Sequence, residues 1–529
     1  MNIYALSMDK NLVAIGFRRV VACAAQAGYD VRSIYFLDDA RKASFAGSWW
    51  KQKTGDDFNV NYVRNDAALA SLATTLAGAD VLALSLMSVQ RNIARKLCQE
   101  VKRLNPGVQI IIGGYHPTIF PDDAIAFADA ICLGEGERTF VEFLDRVRQG
   151  RSLKGLANTW VREGGEIVRN PRVPIMTPAE MERMPVMEYG VAGQHLFSYA
   201  QGTLMPLSRQ DLIRHVGTTY NTIWSVGCPY RCAFCSQSRF IELDRAYADY
   251  RGPSVAYLIA EIKAAQQQFP IDYVIFYDSN FLGRDLETLT EFSRRFRQEI
   301  GLKFVLSGTN PVSIVEEKIG VLIEGGLVRI KMGFESGNDD MLQRFKRPVS
   351  TRQLRRATEV LAKFGGKMVA PSFELIVDNP FETKEQLYET LDFLDETPGP
   401  FTINLFSLQF MPGTALSQEV TDYSLIEDHM EKEYMFSYKP TALNNLISVF
   451  AILKPPRAVV AFLKNRITGR EDAASPLLKT VLYRLMLVRR AVNQAKFSDY
   501  STFPYWVMLF YHRMRTFGRR ITSSFGATR

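Results

Sequence analysis

The sequence predicts an α/β protein: a doubly wound parallel sheet, then a partial (β/α)6 barrel, then a helical C-terminal region. Three observations lead to this fold class. Short apolar segments alternate with helical stretches in residues 1–150 and again in residues 217–420, a pattern typical of parallel sheets. The second stretch contains six such segments, fewer than the eight strands that close a full barrel. Residues 421–529 contain no convincing strand.

The first 150 residues predict five strands. Helices are expected at residues 13–28, 92–104 and 137–149, where apolar residues recur every three or four positions. The predicted strands are Asn2–Ser7, Val31–Leu37, Val81–Leu86, Gln109–Ile112 and Ala130–Leu133. Ligands of such sheets bind at the carboxyl ends of the strands. Gly113 and Gly114 follow the fourth strand and mark a candidate site.

Residues 151–216 have a different character. Two short apolar segments, Thr159–Val161 and Glu166–Val168, flank a turn with two glycines and predict a hairpin. Prolines at positions 171, 174, 178 and 185 then predict an extended linker. The expected domains are therefore 1–150, 151–216, 217–420 and 421–529.

The region 217–420 returns to alternation of strands and helices. Helices are expected at Ser254–Gln268, Leu286–Glu299 and Thr351–Phe364. The predicted strands are Thr222–Val226, Tyr273–Tyr277, Phe304–Leu306, Val328–Met332, Val369–Val377 and Ile403–Phe410.

Composition narrows the class of protein. The 529 residues are 47% hydrophobic and 23% charged, which is ordinary for globular chains and excludes disordered and fibrous classes. The longest apolar runs, Leu446–Leu453 and Phe503–Phe510, are far shorter than the roughly 20 residues of a membrane-spanning helix. The first residues do not resemble a secretory signal. We therefore expect a cytoplasmic protein.

Positive charge is concentrated at the C-terminal end. Residues 451–529 contain fifteen Lys and Arg against three acidic residues, a net charge of +12, whereas the whole chain carries +8. Aromatic residues in Phe503–Tyr511 precede four arginines, a combination typical of helices on anionic membrane surfaces. The segment Leu443–Leu453 is a second candidate of this kind. Peripheral contact with the inner membrane surface and a helical cap over the barrel are the two main interpretations. Nucleic-acid binding is a third, and it is disfavoured because no known binding module is recognisable.

Three cysteines close together carry the chemistry. The segment Trp224–Cys235 reads WSVGCPYRCAFC, with thiols at Cys228, Cys232 and Cys235. Three thiolates at this spacing can bind three corners of an iron–sulfur cubane, which leaves the fourth iron open to another ligand. A structural zinc site needs four ligands, and no nearby histidine has a paired-ligand spacing. Zinc and a chance grouping of buried thiols remain the alternatives.

The pattern CxxxCxxC, with Phe234 before the third cysteine, resembles the signature of radical S-adenosylmethionine enzymes. The resemblance covers the barrel region, about residues 217–420. It implies a [4Fe–4S] cluster on Cys228, Cys232 and Cys235, with S-adenosylmethionine bound through its amino and carboxylate groups to the open iron. An electron supplied by a reductant would cleave the sulfonium, and the resulting 5′-deoxyadenosyl radical would take a hydrogen from the substrate.

Other segments resemble the S-adenosylmethionine site of this family. Asp278, after the second barrel strand, resembles the residue that holds the amino group, with a strand-end cap as the alternative. Glu335, in Gly333–Gly337, resembles the ribose-binding residue, because a carboxylate can accept two hydroxyl hydrogen bonds. Phe234 resembles the residue beside the adenine, with core packing as the alternative. The segment Glu374–Thr383 matches the family's adenine-supporting turn only in part.

The first domain resembles the cobalamin-binding domain of one radical-enzyme subclass. Ser85, Gly113 and Gly114 match the spacing of a serine and a glycine pair that line the nucleotide tail, where a side chain would collide with it. Cobalamin-dependent mutases place a cobalt-ligating histidine where this chain has Asn11. The resemblance therefore implies cobalamin without a lower histidine ligand from this loop. His116 is expected to cap a loop, and a nucleotide-type fold without ligand is the alternative for the whole domain.

Together these resemblances imply a cobalamin-dependent radical enzyme that methylates an unactivated carbon. Methylcobalamin would donate the methyl group, and a second S-adenosylmethionine would replace it. Ring formation or contraction is the alternative reaction, and an inactive-barrel cobalamin sensor or carrier is the alternative from another class. The intact cysteine triad argues against the sensor, and the lack of a second three-cysteine set disfavours methylthiolation. We expect a small-molecule or lipid-like substrate, and no catalytic residue is assigned.

Overall fold

A computed structural model describes residues 1–9, 12–37, 65–187, 189–411, 413–420, 438, 441–453, 457–466, and 477–485 without 479 and 483. The predictions made for Asn11 and for Phe503–Tyr511 lie outside the described residues. In the described parts of the chain, no helix combines the length and the apolar character needed to cross a membrane.

The first sheet has nine strands in the order β7-β6-β5-β4-β3-β1-β2-β8-β9. The strands are β1 (Ile3–Ser7), β2 (Val31–Leu37), β3 (Val81–Ser85), β4 (Gln109–Gly113), β5 (Ala130–Cys132), β6 (Thr159–Glu163), β7 (Glu166–Arg169), β8 (Gln194–Ser198) and β9 (Thr203–Pro206). The six strands from β5 through β2 to β8 pair in parallel. This confirms the predicted parallel sheet.

Helices cover both faces of this sheet. They are α1 (Ile15–Gln26), α2 (Asp66–Leu76), α3 (Arg91–Leu104), α4 (Tyr115–Ile119), α5 (Pro121–Ile125) and α6 (Glu137–Arg148). Because side chains alternate along a strand, Ile3 packs with α1 and α6, whereas Leu6 packs with α2 and α3. Burial on both faces explains why the central strands are almost continuously apolar.

The segment 151–216 departs from its prediction. The expected hairpin is present, and it extends the sheet antiparallel to β5. The expected extended linker, however, contains β8 and β9, which add to the opposite edge. Only Leu196 and Phe197 provide large apolar groups in β8, so the strand has too short an apolar run to be recognised before its position beside β2 is known. The segment also contains α7 (Pro178–Met181) and α8 (Arg209–Val216).

The second sheet is the predicted partial barrel. Its six strands pair in parallel and in chain order: β10 (Thr219–Thr222), β11 (Tyr273–Phe276), β12 (Lys303–Leu306), β13 (Leu327–Glu335), β14 (Ser372–Val377) and β15 (Thr402–Ser407). The helices of this region are α9 (Gln237–Leu243), α10 (Val255–Gln268), α11 (Leu286–Arg295), α12 (Glu316–Gly325), α13 (Asp339–Arg344), α14 (Thr351–Lys363), α15 (Lys384–Glu396) and α16 (Ala415–Gln418).

The described C-terminal helices are α17 (Ala442–Leu453) and α18 (Arg457–Arg466). Leu443, Leu446 and Ile447 of α17 are buried in the barrel core, and the helix packs against β15 and α15. This helix is therefore part of the barrel wall, and the prediction that 443–453 lies on a membrane surface is wrong.

Buried charges join the two sheets. Arg19 of α1 donates from Nη2 to the carbonyl of Ile223 at 2.9 Å and lies 3.5 Å from the Glu261 carboxylate in α10. Arg251 pairs with Glu135 at 2.8 Å. These contacts hold the carboxyl edge of the first sheet beside the barrel opening.

Candidate functional site

The cysteine loop follows β10 at the carboxyl end of the barrel. The first strand ends at Thr222, four residues earlier than predicted, because the chain leaves the sheet there. Val226 instead exchanges two backbone hydrogen bonds with Arg251. An added Cβ on Gly227 would lie 2.0 Å from the carbonyl oxygen of Asp249, and the residue has φ +101°. Glycine is therefore required where these two segments cross.

Asp278 holds the entry to this loop. Its Oδ1 accepts from the Ser225 amide at 2.7 Å and from the Ser225 hydroxyl at 2.6 Å, and its Oδ2 accepts from the Trp224 amide at 3.1 Å. The side chain is only 1% exposed. These bonds are those of a strand-end cap, and the expected contact with an S-adenosylmethionine amino group stays a prediction. The structure gives Asp278 the alternative role, a strand-end cap that positions the cysteine loop.

The three thiols lie close enough to interact electrostatically. Burial raises the pKa of each thiol, that of Cys235 to about 12, and the thiols of Cys228 and Cys232 contribute to this shift. No three thiol, imidazole or carboxylate groups among the described residues are close enough to hold a single metal ion. An iron–sulfur cluster is held by cysteine thiolates, each of which binds one iron of a cubane. This donor set fits a cluster.

The guanidinium of Arg347 lies beside the cysteine triad. Arg347 donates to the Cys232 sulfur at 3.7 Å and to the carbonyl of Gly333 at 2.7 Å, and it lies 3.4 Å from Glu335. Its charge opposes the effect of burial on the Cys232 thiol and on the Glu335 carboxyl, whose pKa values burial raises. Sequence reasoning did not identify Arg347, because no local spacing connects it to the cysteines.

The other two residues expected at S-adenosylmethionine also lie near the loop. Glu335 ends β13 with φ +67°, a left-handed conformation that is rare for a residue with a side chain. Phe234 packs edge-on against Phe345 at 5.3 Å and belongs to a small apolar cluster with Leu408 and Phe410. The structure brings both residues to the cysteine side of the barrel, and their contacts with a ligand stay predictions.

Polar side chains line the inside of the barrel. Along β11, β13, β14 and β15, one set of alternate residues packs outward against the helices, including Phe276, Met332, Leu375 and Leu405. The other set faces the lumen and contains Tyr277 just after β11, Lys331, Glu374 and Asn404. Glu374 is in register with Gly333 and Asn404. Burial raises the pKa of Glu374 to about 7, and Lys331 only partly offsets this effect.

Small residues lie at the carboxyl edge of the first sheet. Ser85 is in register with Ser7 and with Gly113, so these residues share the sheet face that carries α1 and α6. Nothing lies within 4 Å of a Cβ added at Gly16, where α1 begins, and a Cβ added at Gly113 makes only an ordinary 3.9 Å contact. A side chain at either glycine would meet no close contact, and the contact of Ser85 and Gly113 with a cobalamin tail stays a prediction.

Gly114 has a different reason to be glycine from the one expected. An added Cβ would lie 3.0 Å from both the backbone nitrogen and the carbonyl oxygen of Leu86, and φ is +99°. The protein's own backbone therefore excludes a side chain at Gly114, whether or not a ligand is bound.

His116 is fully buried and both of its ring nitrogens have partners. Nδ1 lies 3.1 Å from the Ser88 hydroxyl, and Nε2 lies 2.9 Å from Asp123, which also pairs with Arg91 and Arg95. No ring nitrogen is free for cobalt, in agreement with the expected structural role.

Tyr115 connects the two halves of the site. Its ring packs edge-on against Phe240 of α9 at 5.2 Å. The side chain is 42% accessible, but surrounding protein raises its pKa to about 12, and the Cys235 thiol adds to this shift. The ring lies where α4 of the first domain meets α9 of the barrel region. The carboxyl edge of the first sheet thus reaches the third cysteine.

Two family models match the chain: the B12 binding domain over residues 1–144 and the Radical SAM superfamily over residues 222–394. The chain belongs to the radical S-adenosylmethionine enzymes with a B12-binding domain. Membership implies a [4Fe–4S] cluster, S-adenosylmethionine and cobalamin as cofactors. The cysteine triad lies in the second match, and Ser85 and Gly113 lie in the first.

This radical S-adenosylmethionine enzyme has relatives along most of its length. It is 25% identical over 391 residues to an uncharacterized methyltransferase of Pyrococcus horikoshii, covering 71% of this chain and 79% of the relative. It is 22% identical over 465 residues to the anaerobic magnesium-protoporphyrin IX monomethyl ester cyclase of Rubrivivax gelatinosus, covering 85% and 77%. Its fold resembles that of TsrM, a radical S-adenosylmethionine methyltransferase of Kitasatospora setae, with TM-score 0.58, 16% identity, and 79% and 75% coverage. That similarity concerns the fold alone.

Proposed function

We propose that this radical S-adenosylmethionine enzyme methylates an unactivated carbon of its substrate. The single observation that carries the proposal is the position of Tyr115, which lies at the carboxyl edge of the first sheet, packs against α9 of the barrel region and interacts electrostatically with Cys235. Two cofactor sites that face one space can act on one substrate carbon. When bound, the cluster and S-adenosylmethionine supply a radical that removes hydrogen, and methylcobalamin supplies the methyl group.

The chain's own residues bind and orient these groups. Cys228, Cys232 and Cys235 hold the cluster. Arg347, a buried cation beside Cys232, is suited to hold the negatively charged carboxylate of S-adenosylmethionine next to the open iron. Glu335, within reach of Arg347, is suited to accept hydrogen bonds from the ribose hydroxyls. The small side chain of Ser85 and the absence of one at Gly113 would leave room for the cobalamin nucleotide tail.

Ring formation is the second candidate reaction. The observation that favours it is the similarity to the Rubrivivax gelatinosus cyclase over 85% of this chain. Radical formation would be the same in both reactions, and the fate of the carbon radical would differ. A cobalamin sensor with an inactive barrel is disfavoured, because the three thiols and Arg347 are in place.

The test is anaerobic turnover with S-adenosylmethionine that carries a deuterated methyl group. Reconstituted protein, a chemical reductant and a small-molecule extract should yield 5′-deoxyadenosine and a product that carries the labelled methyl group. Deoxyadenosine with a new ring and no label would favour cyclisation. The matched control is the triple variant C228A/C232A/C235A, which should contain no cluster iron and form no deoxyadenosine. A triple variant that keeps its cluster would contradict the assignment.

We also propose a cytoplasmic location with peripheral contact at the inner membrane surface. Phe462 in α18 and Leu477 further along the chain are 56% and 75% exposed, within the region whose net charge is +12. Apolar side chains among cations suit an anionic bilayer. The variant F462S/L477S should sediment less with acidic vesicles than the unmodified protein. Equal sedimentation would contradict the contact.

A further inference from the structure

A cavity of about 190 Å³ lies where three segments of the chain meet. One flank of α6 contributes Arg138 and Glu142, the segment after the hairpin contributes Arg172, and the short turn after α9 contributes Tyr247. This volume is several times the roughly 30 Å³ that one water molecule occupies in the liquid. The cavity can therefore hold a molecule larger than a single water.

Two buried polar groups in this cavity have no partner among the described residues. They are the hydroxyl of Tyr247, a residue only 5% exposed, and Nη1 of Arg172. A Cβ added at Gly134 would lie 2.6 Å from the Tyr247 hydroxyl oxygen and 3.5 Å from Nη2 of Arg172, so the two side chains end beside the same point. Buried polar groups are nearly always hydrogen-bonded, and both of these can donate. A molecule with acceptor oxygens would satisfy them together.

The charges around the cavity favour an anion. Three of its four charged lining residues are already paired: Glu135 with Arg251, Glu142 with Arg146, and Arg138 with Glu180. The Glu135 carboxylate also accepts from the Met176 amide at 2.8 Å. Arg172 forms no ion pair within the parts of the chain that the structure describes. The lining therefore has one uncompensated positive charge, on a group that binds phosphate oxygens well.

We propose that this cavity binds a small oxyanion of the phosphate class, held by the guanidinium of Arg172, the hydroxyl of Tyr247 and the side-chain NH2 group of Asn158. The amide oxygen of Asn158 accepts from the Val173 amide at 3.1 Å, so its NH2 group is the part that can donate to a ligand. The Tyr247 carbonyl accepts from the Cys228 amide at 3.0 Å. The anion would therefore join the segment after the hairpin to the residues that hold the first cysteine.

Helix α6 separates this cavity from the small residues at the carboxyl edge of the first sheet. Gly136, where α6 begins, faces α1, since an added Cβ would lie 3.3 Å from the Val20 side chain. With 3.6 residues per turn, Arg138 lies on the opposite side of the helix from Gly136. The oxyanion site is therefore distinct from the space beside Ser85 and Gly113, which lies on the α1 side.

The test is titration of the full chain with inorganic phosphate, against sodium chloride of equal ionic strength, followed by calorimetry and thermal unfolding. Each titration is run with and without bound cobalamin, because cobalamin contains a phosphate of its own. The variants are R172Q and Y247F, and Y247F keeps the ring that packs against Phe240 at 5.3 Å. The matched control is R356Q, because Arg356 is an exposed arginine of α14 that forms no ion pair with any described residue.

Phosphate should bind at one saturable site and raise the unfolding temperature, with equal affinity whether or not cobalamin is bound. R172Q and Y247F should each raise the dissociation constant at least about tenfold, the size expected for the loss of a hydrogen bond to a charged group. R356Q should bind phosphate as the unmodified protein does. If phosphate acts no differently from chloride, the cavity holds only water and the assignment is wrong. Blocking of phosphate by cobalamin, unchanged affinity in both variants, or equal weakening in R356Q would also overturn it.

Discussion

Replacing Asp278 by asparagine should release the cysteine loop and prevent cluster assembly. The carboxylate accepts three hydrogen bonds from Trp224 and Ser225 while 1% exposed. Asparagine keeps one acceptor oxygen, but it removes the charge and turns an NH2 group toward a backbone amide that must donate. Hydrogen bonds to charged groups are worth about 1.5–3 kcal/mol each. We therefore expect a loss of about 2–4 kcal/mol in loop stability, roughly a 30- to 1000-fold change in the local equilibrium.

The assay is iron content and visible absorbance after anaerobic reconstitution, with cobalamin content measured in parallel. D278N should bind much less iron and keep its cobalamin, because the side-chain hydrogen bonds of Asp278 go to the barrel loop and not to the first domain. The comparison variant is S225A, which removes one of the three hydrogen bonds, about 1.5–3 kcal/mol by the same rule, keeps the carboxylate and both amide bonds, and should bind more iron than D278N. Full iron in D278N together with weakened S-adenosylmethionine binding would refute this reasoning and restore the direct ligand role expected from the sequence.

Three further predictions follow from other sites. Because burial raises the folded-state pKa of Glu374 from 4.5 to about 7, ionisation opposes folding, and stability is lost as the pH rises from 4.5 through 7. E374Q should therefore be more stable than the unmodified protein at about pH 8, by at most about 3 kcal/mol, and equally stable at about pH 4 in thermal unfolding. G113L should block cobalamin binding with little effect on apoprotein stability, whereas G114L should destabilise the apoprotein itself, as measured by cobalamin titration and unfolding. R347Q should weaken S-adenosylmethionine binding in equilibrium dialysis, and a preserved affinity would contradict its carboxylate-binding role.

Local apolar patterns were sufficient to predict the two sheets. The bounds of Val31–Leu37 are predictable to the residue, because Ile34 to Leu37 form an apolar run and the last five residues of the strand are buried. The first barrel strand was placed too late, since Trp224 is as apolar as a strand residue. Its amide is instead bound by Asp278, which lies 54 residues further along the chain. Such a contact is decided by tertiary structure and leaves no trace in the local sequence.

The residues of the candidate site also fall into two groups: those that local sequence predicts and those that only the tertiary structure brings together. The cysteine triad is predictable because its three thiols lie within eight residues of the chain. Arg347 was missed, because it reaches Cys232 across 115 residues. The local sequence around Lys331 and Glu374 does indicate the inner face of the barrel. In each strand a charged residue lies between two large apolar residues, so that charged and apolar side chains point to opposite faces. Charge on the inner face of a parallel strand indicates a lumen, since the outer face must pack against helices.

The buried pairing between α1 and α10 determines how this protein can be cut for experiments. Glu261 is fully buried, accepts from the hydroxyls of Tyr220 and Thr222, and depends on Arg19 of the first domain for its cation. A barrel fragment that begins near residue 217 would keep this carboxylate and lose its counter-charge, at a cost of about 3–5 kcal/mol. A fragment that ends before residue 217 would lose Glu261 and the carbonyl of Ile223, leaving Arg19 without either partner. Each cofactor site is therefore best studied by single substitutions in the full chain, because the contact between the first domain and the barrel is then kept.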